Sequence, residues 1–249
     1  MKPLFTDQFC AFPKADDVAL ATLVKRVLRP GCRIVEVGSW LGTGSTQTLL
    51  REISKVAGAR LLCVDTWRGS RGVRRHEEML RSYDVLATFR ANTSSFSGLM
   101  DIMIADSVTS AQWLADASFD LVFLDADHRY SAVKNDIAAW RTKVRPGGIL
   151  CGHDCERRPT QETIDFVRRS PDADTGPAHQ FKFAEVHHGC VLAVHEAFNG
   201  TAQLMAETCG SSIWFTDDAR KSTKAPHHKL DMASANYPHL QGGQRPNVW

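Results

Sequence analysis

Five short apolar runs constrain this chain more than any other feature: Arg33–Val37, Arg60–Val64, Asp101–Ala105, Asp120–Leu124 and Ile149–Gly152. Each carries a polar residue at or just past its end, namely Glu36, Asp65, Asp106, Asp125 and Asp154. Between them lie segments with helical periodicity, over 16–28, from 43–45 to 53, over 76–92, around Trp113 and Leu114, and over 129–143. Strands that are apolar on both faces belong in a parallel sheet with helices on either side. Crossovers of one hand bring every strand's C-terminal end to a single edge, where such sheets bind ligands. The five acids fall on that edge.

The totals fit one large α/β domain. The chain has 249 residues, 43% hydrophobic and 23% charged, with a formal net charge of +2. That charge is too small to argue for nucleic acid or a membrane surface. No apolar run is long enough to span a bilayer, and the first residues lack a signal-peptide pattern. The seven cysteines are odd in number, scattered, and never spaced CxxC. Reduced thiols in a cytoplasmic protein are therefore expected, and a cysteine zinc site is not. We expect an N-terminal leader over 1–14, a domain over 15–216 and a flexible polar tail over 217–249. Strands are expected near 181–186 and 211–215, with a helix over 187–198.

The first turn carries the next clue. Val37-Gly38-Ser39-Trp40-Leu41-Gly42 follows a strand and opens a helix. A pyrophosphate fingerprint would need a second glycine where Trp40 stands, because phosphate must touch the backbone there. The pattern acid-x-Gly-x-x-x-Gly, from Glu36 to Gly42, instead resembles the turn of class I methyltransferases that use S-adenosylmethionine. Phe119–Tyr130 (FDLVFLDADHRY) and Arg145–Asp154 (RPGGILCGHD) resemble motifs of a small-molecule O-methyltransferase group, as does Val64-Asp65-Thr66-Trp67. The resemblance spans about residues 32–156.

The resemblance implies a Rossmann-like three-layer αβα sandwich with a mostly parallel seven-stranded sheet. It also implies a cofactor site of Glu36, Gly38, Ser39, Trp40, Gly42, Asp65, Thr66, Asp106, Ser107 and Asp125. In that site the glycine backbone meets the methionine part, Asp65 the ribose hydroxyls, and Asp106-Ser107 the adenine edge. The family holds a divalent cation on the acids ending strands four and five, here Asp125 and Asp154, with Mg²⁺ or another divalent cation as the candidates. Its base follows the first acid by three positions, here His128, and an imidazole suits that task. One departure is Cys155, where catechol-type enzymes place an amide ligand; thiols are poor ligands for Mg²⁺.

The expected activity is methyl transfer to an oxygen of a hydroxylated small molecule, a sugar or a secondary metabolite. No nucleic-acid or membrane partner is expected, and a homodimer is compatible with the sequence. A metal-dependent hydroxylase on the same scaffold and a non-catalytic cofactor-binding protein are the alternatives. Arg68, Arg71, Arg74 and Arg75 are read as a solvated face, and His187, His188 and His195 as surface histidines.

Overall fold

The computed structural model describes residues 12–178 and 185–217. Its main sheet has seven strands in the order β3-β2-β1-β4-β5-β9-β8. These are β1 (Arg33–Val37), β2 (Arg60–Asp65), β3 (Met100–Ile104), β4 (Phe119–Leu124), β5 (Val144–Gly152), β8 (Gln203–Leu204) and β9 (Trp214–Thr216). The first five pair in parallel, and β9 runs antiparallel to both β5 and β8. A separate two-stranded piece joins β6 (Gly176–Pro177) to β7 (Glu185–Val186). The expected Rossmann-like, mostly parallel, seven-stranded architecture is present.

Strand alternation builds two cores, one on each face of the sheet. Ile34, Leu61, Cys63, Leu121, Phe123 and Cys151 point to one, together with residues of α1 (Lys14–Val27), α2 (Ser45–Ile53) and α4 (Val85–Asn92). Val35, Val37, Val64, Val122, Leu124 and Leu150 point to the other, with α5 (Ser107–Gln112), α6 (Tyr130–Trp140) and α8 (His188–Ala197). All six residues of β4 are buried, because it is central in the sheet and covered on both faces.

Two expectations are corrected. The helix expected over 76–92 is two helices, α3 (Arg74–Ser82) and α4; Asp84 caps α4 by accepting from Ala87 N–H at 2.9 Å. The strand near 181–186 contributes only β7 among the described residues, and it pairs outside the main sheet. The strand β8 has two residues and no readable pattern; it follows α7 (Gln161–Arg169) and α8 and precedes the short α9 (Ala206–Cys209). The leader to residue 11 and the tail from 218 lie outside the described residues. No described helix is long and apolar enough to cross a membrane.

The chain steps outward from β1 to β3, then returns to β4 on the other side of β1. That reversal opens a crevice between the C-terminal ends of β1 and β4. Gly38 and Asp125 face each other there. A Cβ on Gly38 would stand 2.0 Å from the Asp125 carbonyl oxygen, and Gly38 has φ +95°. Only glycine allows this approach.

Candidate active site

A cleft of about 1290 Å³ occupies that edge. Pockets for one small ligand run to about 300–1,000 Å³, so this one has room for two reactants. Gly38, Ser39, Trp40, Gly42, Asp65, Thr66, Asp106, Ser107, Asp125, His128 and Asp154 line it.

Glu36 is the expected site residue that does not line the cleft. It is fully buried and accepts from Ser39 Oγ at 2.7 Å, Ser45 Oγ at 2.6 Å and Thr46 Oγ1 at 2.7 Å. Burial pushes its carboxyl up to about 7, and the three hydroxyls restrain that rise. Its role is to fix the loop from inside; direct contact with a ligand, expected above, is not what this position offers.

Asp65 fixes the same loop from its other side. It accepts from the Trp40 N–H at 2.8 Å and the Trp67 N–H at 2.7 Å. Trp67 Nε1–H in turn donates to the Trp40 carbonyl at 2.8 Å. Both tryptophans have left-handed backbones, φ 43° and 52°, and these bonds hold them there. Asp65 itself lines the cleft. Asp106 caps α5, accepting from Thr109 N–H at 2.9 Å, and it also lines the cleft. Cap and wall are one residue.

The ends of β4 and β5 carry a different kind of construction. His128 Nε2 lies 3.0 Å from Asp154 Oδ2 and 3.8 Å from Asp125 Oδ1, and its Nδ1 lies 2.8 Å from Asp174 Oδ1. His153 Nδ1 lies 3.1 Å from Asp154 Oδ1 and 3.6 Å from Asp125 Oδ1, and its Nε2 is 3.2 Å from Asp16 Oδ2. His187 Nδ1 lies 2.5 Å from Glu156 Oε1 and 3.4 Å from Asp154 Oδ1. Asp154 sits at φ 60°, a conformation that costs a non-glycine residue of order 1–3 kcal/mol.

The electrostatics follow from this crowding. Burial works to lower His128, but Asp154, Asp125 and Asp174 outweigh it and hold the imidazole well above its ordinary range. Burial likewise opposes charge on His153, and Asp154 and Asp125 outweigh it. Burial would raise Asp125 and Asp154; His153 first, with His128 and, at Asp154, His187, holds both below the carboxylate range. The three carboxylates around His128 thus favour its protonated form against the effect of burial.

Cys155 does not stand in for the amide. It is buried in the second core, its Sγ lies 3.9 Å from the Arg157 carbonyl, and burial pushes the thiol far up. A shell that takes the His153 nitrogen beside Asp125 and Asp154 is less suited to Mg²⁺, which prefers oxygens.

The reading of His187 and His188 as surface residues is corrected. His188 is fully buried, its Nε2 3.1 Å from the Pro177 carbonyl, and His187 belongs to the cluster. His195 is exposed, as expected. Asp16 and Asp174 were not singled out as site residues. Asp16 opens α1 and Asp174 sits in a loop, and no local pattern ties either to residues more than forty positions away.

Comparison with known proteins adds the family. The model of a methyltransferase domain matches residues 35–155. Together with the sheet order, this makes that stretch a methyltransferase domain of class I, the type that depends on S-adenosylmethionine. Among solved structures, an O-methyltransferase of tomaymycin synthesis from Streptomyces achromogenes, in complex with SAM, is 16% identical; the match covers 83% of this chain and 80% of that one, with a TM-score of 0.50. An O-methyltransferase from Bacillus cereus in complex with SAH is 17% identical over 82% of this chain and 80% of that one, with a TM-score of 0.48. At such identities the likeness concerns the fold. No curated protein matches the sequence.

Proposed function

We propose that the protein moves the methyl group of S-adenosylmethionine to an oxygen of a hydroxylated small molecule, a sugar or a secondary metabolite. The observation that carries this reading is His128: its Nε2 faces the cleft beside Asp125 and Asp154 while Asp174 holds its Nδ1 at 2.8 Å. A protein that only bound the cofactor would have no use for an imidazole oriented in this way.

In this reading the Gly38–Gly42 backbone receives the methionine end, Asp65 the ribose, and Asp106 with Ser107 the adenine. The acceptor hydroxyl lies between the sulfonium and His128. The O–CH₃ bond forms as the S–CH₃ bond breaks, the sulfonium becomes a thioether, and the acceptor proton passes to His128 Nε2. A sulfonium in the cleft favours the neutral form of His128 that a base needs, since a like charge disfavours the cation. Asp174 then stabilises the imidazolium that forms. An anchored base of this kind contributes about 10²–10⁴ in rate.

Calorimetry with S-adenosylmethionine and S-adenosylhomocysteine, followed by an assay of S-adenosylhomocysteine release across a panel of hydroxylated metabolites, tests the reading. Binding of both and turnover of at least one hydroxylated compound are expected. Failure to bind either one would refute it.

A further inference from the structure

The poorer match to Mg²⁺ has a positive counterpart in the donors present. Three atoms converge at the ends of β4 and β5: Asp125 Oδ1, His153 Nδ1 and Asp154 Oδ1, all within 4.8 Å of one another. His153 Nδ1 stands 3.1 Å from the Asp154 oxygen and 3.6 Å from the Asp125 oxygen. Ligands about 2.0–2.2 Å from a first-row transition ion lie roughly 3–3.5 Å apart along the edges of its coordination shell. The spacing suits such a shell.

The outer side of His153 supports the same conclusion. Its Nε2 is buried and makes no hydrogen bond, yet it lies 3.2 Å from Asp16 Oδ2. Asp16 spends its other oxygen, Oδ1, on Ser211 Oγ at 2.5 Å and Ser212 N–H at 2.8 Å. Oδ2 therefore remains for His153. A carboxylate behind the outer nitrogen of a histidine fixes which nitrogen faces a metal and raises its basicity. Asp154, which supplies an oxygen to this set, has a left-handed backbone, φ 60°.

His128 and His187 form a second candidate set with Asp154. His187 Nδ1 is already held by Glu156 at 2.5 Å, which leaves the Asp125 set as the better formed one. His128 keeps its place as the base.

We infer that Asp125, His153 and Asp154 bind a borderline first-row transition ion in preference to Mg²⁺, with Asp16 positioning His153 from behind. Imidazole nitrogen favours such ions, whereas an all-oxygen shell favours Mg²⁺. The inference concerns the same site as the proposed methyl transfer but does not need turnover to be tested.

The test titrates the full chain with Mn²⁺, Co²⁺ and Mg²⁺ separately by calorimetry, and records pulsed EPR of the Mn²⁺ form for coupling to ¹⁴N. Co²⁺ is expected to bind at least about tenfold more tightly than Mg²⁺, with Mn²⁺ between them, and the Mn²⁺ form is expected to show ¹⁴N coupling. His153→Asp should abolish that coupling and shrink the preference over Mg²⁺; His128→Gln should keep both. Asp16→Asn should weaken Mn²⁺ about 10–100-fold. Equal affinity for Co²⁺ and Mg²⁺, no binding of any of the three, or ¹⁴N coupling that survives His153→Asp would overturn the inference. S-adenosylmethionine binding, measured on the same samples, reports separately on the fold and on the methyltransferase reading.

Discussion

The two walls of the cleft are built on opposite principles. At the ends of β1 and β2 the acids hold the loop: Glu36 accepts from three hydroxyls, and Asp65 from the backbone N–H groups of Trp40 and Trp67. At the ends of β4 and β5, Asp125 and Asp154 crowd against His128, His153 and His187, with Asp174, Asp16 and Glu156 beside those imidazoles, and the buried His153 Nε2 makes no hydrogen bond although it lies 3.2 Å from Asp16 Oδ2. The first wall is a shape held rigid by satisfied bonds. The second stores interaction energy that a ligand can use. A satisfied network specifies geometry, while an unsatisfied one is costly unless something completes it. In the proposed reading, binding and chemistry are separated across the crevice.

The sharpest way to break this contrast is His128→Ala. Turnover is expected to fall by about 10²–10⁴ while affinity for S-adenosylmethionine stays within a few-fold, as read by calorimetry beside a rate assay. A comparable loss of cofactor affinity would mean that the two walls are not separate in function.

Gly38→Ala attacks the seam where the walls meet. The added Cβ would fall 2.0 Å from the Asp125 carbonyl oxygen at a left-handed φ, so a cost of about 3 kcal/mol or more is expected in urea unfolding. A shift under 1 kcal/mol would show that the crevice relaxes there.

Next in size is the pH dependence of the first wall. Glu36 has its carboxyl raised from 4.5 to about 7, chiefly by burial. The folded state then holds this proton more tightly than the unfolded chain. The stabilisation is present below the ordinary carboxyl range and is lost as pH rises toward 7, by roughly 3 kcal/mol at most. Glu36→Gln should flatten that part of the stability profile, and a profile identical to the unmodified chain would place the titration elsewhere.

The smallest expected effect belongs to Asp65→Ala. Losing a charged acceptor should weaken S-adenosylmethionine and S-adenosylhomocysteine alike by about 10–100-fold, near 1.5–3 kcal/mol. Unequal loss would point away from the ribose, which the two molecules share.

Much of this was legible in the chain, for identifiable reasons. The strands β1, β2 and β4 and the last turn-free stretch of β5 are short, largely buried and mostly apolar, so their positions and the shared edge could be read locally. The glycine turn and the DADH and GHD runs lie within a few residues of those strand ends, and they too were readable. Glu36 was rightly singled out as an acid inside an apolar strand, but the sequence suggested a ligand where the structure supplies Ser39, Ser45 and Thr46. His187 was misread because its partners, Asp154 and Glu156, are about thirty residues away in the chain. The break between α3 and α4 was missed although Asp84 is a competent cap, because the apolar spacing on either side continues through it.

The sequence by itself determined the periodicity, and with it the parallel sheet, the switch in strand order and the line of acids along one edge. These depend on residue types a few positions apart. Only the tertiary structure decided which charges meet. Asp16 from the first helix and Asp174 from a distant loop reach His153 and His128 because folding brings separate crossovers to one edge. Their mutual fields then set which groups are ionised. Coulomb interactions act over distance in space, not along the chain, so no local pattern could have announced them.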